Sequence, residues 1–184
     1  MLSDILDRYL KLFPEEKEEL KLLAEQVKTG QDLNDRRNFH GHVTGSTIVL
    51  SNDRRRVLLI HHKSFNLWQQ PGGHRESDEP NPLEAARREA PEETGIQLGE
   101  YLAVDKTNPL VPIDIDTHLV PARPHKNEPD HYHHDFRYVF IAKSEDIEFD
   151  QKEVYGAGWF DLDDSQTERI SGVIVKLRQF KFIS

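Results

Sequence analysis

The chain has no cysteine. That excludes disulfides, thiolate zinc sites and cysteine nucleophiles together. It also lacks a long apolar run, since no stretch approaches the roughly 20 residues of a membrane span. Positive charge is in deficit. Lys and Arg number 24 against 33 Asp and Glu, giving a formal net charge of -9. Such a chain repels phosphate backbones, so general DNA or RNA binding is not expected. The first residues, MLSDILDRYLKLFPEEKEE, hold no basic region followed by an apolar stretch, so a secretory leader is not expected and a cytoplasmic location is. Hydrophobic residues make up only 36%, yet nine Phe, five Tyr and two Trp can anchor a core, which argues against disorder.

The length of 184 residues suits one domain with a modest extension. Residues 2–13 place Leu2, Ile5, Leu6, Tyr9, Leu10 and Phe13 at helical spacing. Pro14 suits the start of a second helix, expected to run to about Thr29 and stop at Gly30. We therefore expect a helical extension over 1–38 and a main domain over 39–184. The extension either packs on that domain or joins two copies as a homodimer; the sequence leaves both open. Strands are expected at Val43–Leu50, Val57–Ile60, 65–72, Leu98–Thr107, Ile113–Val120, Tyr132–Ala142 and Gly158–Phe160. Helices are expected at Pro82–Thr94 and Thr167–Phe180. This mixture predicts an α/β or α+β sandwich.

The helix from Pro82 carries the chemical signal. Asn81 is a good N-cap, Pro82 fits the first helical position, and Glu84 stands where a capping-box acid would. Glu89, Glu92 and Glu93 are spaced i, i+3, i+4 and share one face at about 100° per residue. Three carboxylates this close repel each other, and more so when desolvated. A hard cation such as Mg²⁺ or Mn²⁺ reverses that cost, because carboxylate oxygen is its preferred ligand.

From Gly73 the sequence resembles the Nudix box, G-x5-E-x7-R-E-U-x-E-E-x-G-U with U a bulky aliphatic residue. Glu79, Arg88, Glu89, Glu92, Glu93, Gly95 and Ile96 fall at its fixed positions. The resemblance covers roughly residues 40–162. It implies a Nudix α/β/α sandwich with a mixed sheet, and hydrolysis of a pyrophosphate in a nucleoside diphosphate linked to another moiety. It implies Mg²⁺ or Mn²⁺ on Glu89, Glu92 and Glu93 beside the backbone of Gly73. One of these acids, or a metal-bound hydroxide, activates the attacking water, while Arg88 orients Glu89 or pairs with Glu79. Glu153 is a further acid outside the box. The chain departs from the pattern in three places. Eight residues rather than seven separate Glu79 from Arg88, Ala90 replaces a bulkier residue, and Pro91 lies inside the helix. An interior proline costs about 3 kcal/mol, and a kink is expected before Glu92. The alternative is a Nudix-fold sensor that binds a nucleotide-like ligand with little catalysis. An isomerase sharing the fold needs a cysteine, and an RNA-decapping enzyme fits poorly with the acidic balance.

Further along, Asp114, Asp116 and His118 alternate on one strand; His131, His133, Asp135 and Arg137 alternate on another. Histidines with carboxylates can hold zinc or iron. They can equally line a pocket, and we expect His118, His133, Asp135 and Arg137 to form a substrate-binding wall. Trp68 is expected in the core.

Overall fold

The computed structural model describes residues 1–124, 127–149, 151–152 and 154–184. Eight strands form one mixed sheet: β1 (His42–Leu50), β2 (Arg56–His62), β3 (Leu67–Gln69), β4 (Gly72–His74), β5 (Leu98–Tyr101), β6 (Asp114–Val120), β7 (His131–Ala142) and β8 (Val154–Asp161). The order is β3-β2-β1-β7-β5, with β4 beside β1, β6 beside β7 and β8 beside β2. The central pair, β1 and β7, is parallel; the other pairings are antiparallel. Among the described residues four α-helices flank the sheet: α1 (Leu2–Leu12), α2 (Lys21–Lys28), α3 (Pro82–Thr94) and α4 (Ser171–Gln179).

The two faces of the sheet follow from strand alternation. On one face, Val43, Phe136, Tyr138 and Phe140 pack with Ile5, Leu6, Tyr9 and Phe13 of the first helix and Leu83 and Ala86 of α3. On the other, Ile48, Leu50, Val139 and Ile141 pack under Val173, Ile174 and Leu177 of α4. Each fully buried Val, Leu, Ile or Phe among these contributes about 1.5–3 kcal/mol. The N-terminal helices thus pack on the domain. Helix α3 lies very close to β1: a Cβ on Gly45 would strike the Pro82 carbonyl and the Ala86 amide. Thr47 Oγ1 donates to the Ala86 carbonyl at 2.7 Å on the same line of contact. Trp68 is half-buried, edge-on to Phe160 and stacked with His61.

Several local expectations are corrected. The second helix is not continuous from Pro14. A 3-10 turn spans Pro14–Lys17, and α2 starts only at Lys21. A single helix would set Glu15, Glu16, Glu18 and Glu19 at like-charge spacing. Instead Glu16 turns inward to Tyr9 and Lys176. The strand from Leu98 stops at Tyr101, short of Thr107. The Asp105 carboxylate takes the amides of Thr107 at 2.8 Å and Asn108 at 3.2 Å, a local turn that competes with pairing. Residues 65–72 divide into β3 and the start of β4. The last helix begins as a 3-10 segment, Ser165–Ile170. Helix α3 runs unbroken through Pro91. The proline sits in the last turn, where only the Arg87 carbonyl loses a partner, and its own carbonyl accepts from Gly95 N at 2.8 Å.

Lys176 ties the two helical layers around the β6 edge. Its Nζ reaches Asp114 Oδ1 at 2.6 Å, Tyr9 Oη at 2.7 Å and the Glu16 carboxylate. Tyr9 Oη in turn accepts from the Ile115 amide at 3.0 Å, which caps an edge strand. Lys176 is 6% exposed, so removing its charge takes the cation from Glu16 and leaves Asp114 with Arg137 alone. We expect Lys176→Ala to lose about 3–5 kcal/mol of stability in urea unfolding. A loss below about 1 kcal/mol would show that the cluster is hydrated.

Candidate metal and catalytic site

The site is built where α3 crosses β4. Asn81 Oδ1 accepts from Glu84 N at 3.1 Å and starts the helix, which closes at Gly95. Between these caps the acidic face points at the Gly72-Gly73 backbone. Gly72 N–H donates to Glu93 Oε2 at 2.9 Å, and Glu93 is 2% exposed. A Cβ on Gly73 would collide with the Glu89 carboxylate, so glycine leaves the space that this carboxylate occupies.

Arg88 sits at the centre of the remaining acids. It donates from Nε to Glu79 Oε1 at 2.8 Å and from Nη1 to Glu92 Oε2 at 2.8 Å. The same Nη1 lies 2.9 Å from Glu89 Oε1, and Nη2 donates to the His74 carbonyl at 2.9 Å. The contacts of Arg88 to Glu79 and to Glu89 therefore coexist. The extra residue of the box is taken up in the loop before α3, where Glu76 N donates to Glu79 Oε2 at 2.7 Å. One guanidinium thus gathers Glu79, Glu89 and Glu92. The donor set is carboxylate, the chemistry that fits a hard divalent cation. Glu153 lies outside the described residues.

A second polar group occupies the opposite face of the same strands. Registers align His118, His133 and His42 in one row. Asp116, Asp135, Thr44 and His74 form the next row, and Asp114, Arg137, Ser46 and Gly72 the third. Asp135 is buried and takes four hydrogen bonds: Thr44 at 2.9 Å, Ser46 at 2.7 Å, Gln70 at 3.0 Å and Arg137 at 3.1 Å. Arg137 also reaches Asp114 at 2.9 Å and Asp116 at 2.6 Å. Asp116 and His118 are the half-exposed members, with 39% of each side chain accessible, 3.1 Å apart. Burial alone would raise the Asp116 carboxyl, but His118 and Arg137 hold it at about 2. Burial, helped by neighbouring histidines, pushes His74 down to about 3 and His133 far below its usual value.

The sequence reading brought together Glu79, Arg88, Glu89, Glu92, Glu93 and Gly73, and the structure places them in one site. It missed His42 and His74, which join the His131–His133 face. The available signal was the alternation His42, Thr44, Ser46 in an otherwise apolar strand.

A family model described as the NUDIX domain matches residues 41–177. The Phosphatase NudJ of Escherichia coli strain K12 is 34% identical over 106 residues, covering 50% of this chain and 66% of that protein. The match thus spans just under two thirds of that relative's length. Among solved structures, a NUDIX-family hydrolase from Clostridium perfringens is similar with a TM-score of 0.57 at 24% identity, covering 80% of this chain and 99% of that one. A C. elegans Ap4A hydrolase binary complex gives 0.51 at 15% identity, covering 76% and 97%. These two structural likenesses show the fold. With the family model running from the residue before β1 into α4, and the box assembled on β4 and α3, the chain belongs to the Nudix family.

Proposed function

We propose that this chain hydrolyses a pyrophosphate bond in a nucleoside diphosphate linked to another moiety, with Mg²⁺ or Mn²⁺ as its cation. The observation that carries the reading is the packing of Glu89 and Glu93 against the Gly72-Gly73 backbone, with Arg88 gathering Glu79, Glu89 and Glu92. Nudix hydrolases use divalent metal ions on small nucleotide-like substrates. Here Glu89, Glu92 and Glu93, beside the Gly73 backbone, would hold the cation. When bound, it offsets the pyrophosphate charge and makes the attacking water more acidic. Glu89 accepts the water's proton, and Arg88 fixes the direction of the Glu89 carboxylate. Glu79 keeps Arg88 in place through the 2.8 Å contact. On the other face of β4, His118 meets the substrate, and His133, Asp135 and Arg137 shape the wall behind it. Residues 1–38 act as an extension docked on the catalytic domain of 39–184.

Two outcomes test this. By calorimetry, Glu92→Gln combined with Glu93→Gln should weaken Mg²⁺ or Mn²⁺ binding; undiminished binding contradicts the ligand set. In a panel of nucleoside-diphosphate compounds, turnover in ¹⁸O-labelled water should place one labelled oxygen on a phosphate-containing product. Glu89→Gln should lower turnover by about 10²–10³ with the fold intact, the usual cost of one preorganised electrostatic group. No phosphate-containing product from any compound, with cation bound, would favour a ligand-binding role.

A further inference from the structure

Four histidines meet on the polar face of β1, β4 and β7. One ring nitrogen from each of His42, His131 and His133 lies within 4.8 Å of the others, and all three residues are buried. His74 Nε2 is 3.0 Å from His42 Nε2, and His131 Nε2 is 3.2 Å from His133 Nε2.

Two of the four tautomers are fixed by their surroundings. His42 Nδ1 faces the Asn38 carbonyl at 3.2 Å, and His131 Nδ1 faces the Pro129 carbonyl at 2.7 Å. A carbonyl can only accept, so Nδ1 carries the proton and Nε2 presents a lone pair inward. Rings that bind metals are typically held this way, the second ring nitrogen donating to a carbonyl, carboxylate or water. In a tetrahedral zinc site with Zn–N of about 2.0–2.1 Å, ligand nitrogens stand about 3.3 Å apart. The two separations here are close to that. Pairwise N–H···N hydrogen bonds could satisfy the same atoms two at a time. They do not require both pairs to converge with carbonyl-locked rings.

We propose that His42, His131 and His133, with His74 as fourth donor, bind one divalent transition-metal ion of the zinc class, separate from the carboxylate site on α3. Imidazole nitrogen suits zinc, copper, iron or nickel, and is a poor match for Mg²⁺. The ion's role is structural. The His74 carbonyl on the same short strand accepts from Arg88, so an ion on the His74 ring pins β4 from the face opposite α3. The proposal stands whether or not the chain hydrolyses nucleotides.

The test uses metal-stripped full-length chain titrated with Zn²⁺ and Co²⁺. One equivalent should bind, with the visible absorption of four-coordinate Co²⁺. Glu92→Gln with Glu93→Gln should retain that equivalent. His42→Gln with His133→Gln should weaken binding by more than the roughly 10–100-fold that loss of a supporting hydrogen bond costs. Long-range ¹H–¹⁵N imidazole spectra of the unsubstituted chain should show the four rings, and no others, changing with sub-stoichiometric Zn²⁺; this readout does not depend on any variant folding. Absence of uptake, uptake that leaves those four rings unchanged, or uptake lost with the glutamates and kept without the histidines, overturns the assignment.

Discussion

The contact on which the site depends is the approach of α3 to the glycine backbone of β1 and β4. Gly45 admits the start of the helix and Gly73 admits the Glu89 carboxylate. Glu93 then finds the Gly72 amide, which replaces part of the hydration that a carboxylate loses on burial. Add one methyl at Gly73 and the Glu89 carboxylate must turn away. The core packing of Leu83, Ala86 and Ala90 sets the height of the helix, and so decides where its charges lie. Packing and chemistry are coupled through a single helix–strand crossing.

Arg88 is the second device. A guanidinium presents donors in a fixed fork, so it can hold several acceptors at once. Here it holds three carboxylates and one carbonyl from three stretches of chain. Arg137 repeats the arrangement on the opposite face with Asp114, Asp116 and Asp135. Both gather acids that would otherwise repel. Asp135 takes four donors, while Glu79, Glu89 and Glu92 meet at the single Arg88 guanidinium.

Most of α3 was legible in the sequence because its signals are local. Asn81, Pro82 and Gly95 mark its ends, and the i, i+3, i+4 acids mark its face. The loop absorbed the extra box residue, and the last turn tolerated Pro91, since one lost hydrogen bond there is a small defect. The break before Lys21 was not legible. It depends on Glu16 meeting Lys176, a partner 160 residues away in sequence. The histidine group was half legible. Alternation put His131 and His133 on one face of β7, but His42 and His74 join them only through the parallel β1–β7 register and the pairing of β4. Parallel register is set by the whole sheet, and no local pattern in this chain specifies it.

Crystals grown or soaked with Mn²⁺, measured for anomalous scattering, test the account most directly. It predicts manganese bound by Glu89, Glu92 and Glu93 beside the Gly73 backbone, with Arg88 still on Glu79. Manganese bound elsewhere, with these carboxylates held only by protein donors, would contradict the assignment of α3 as the metal-binding helix.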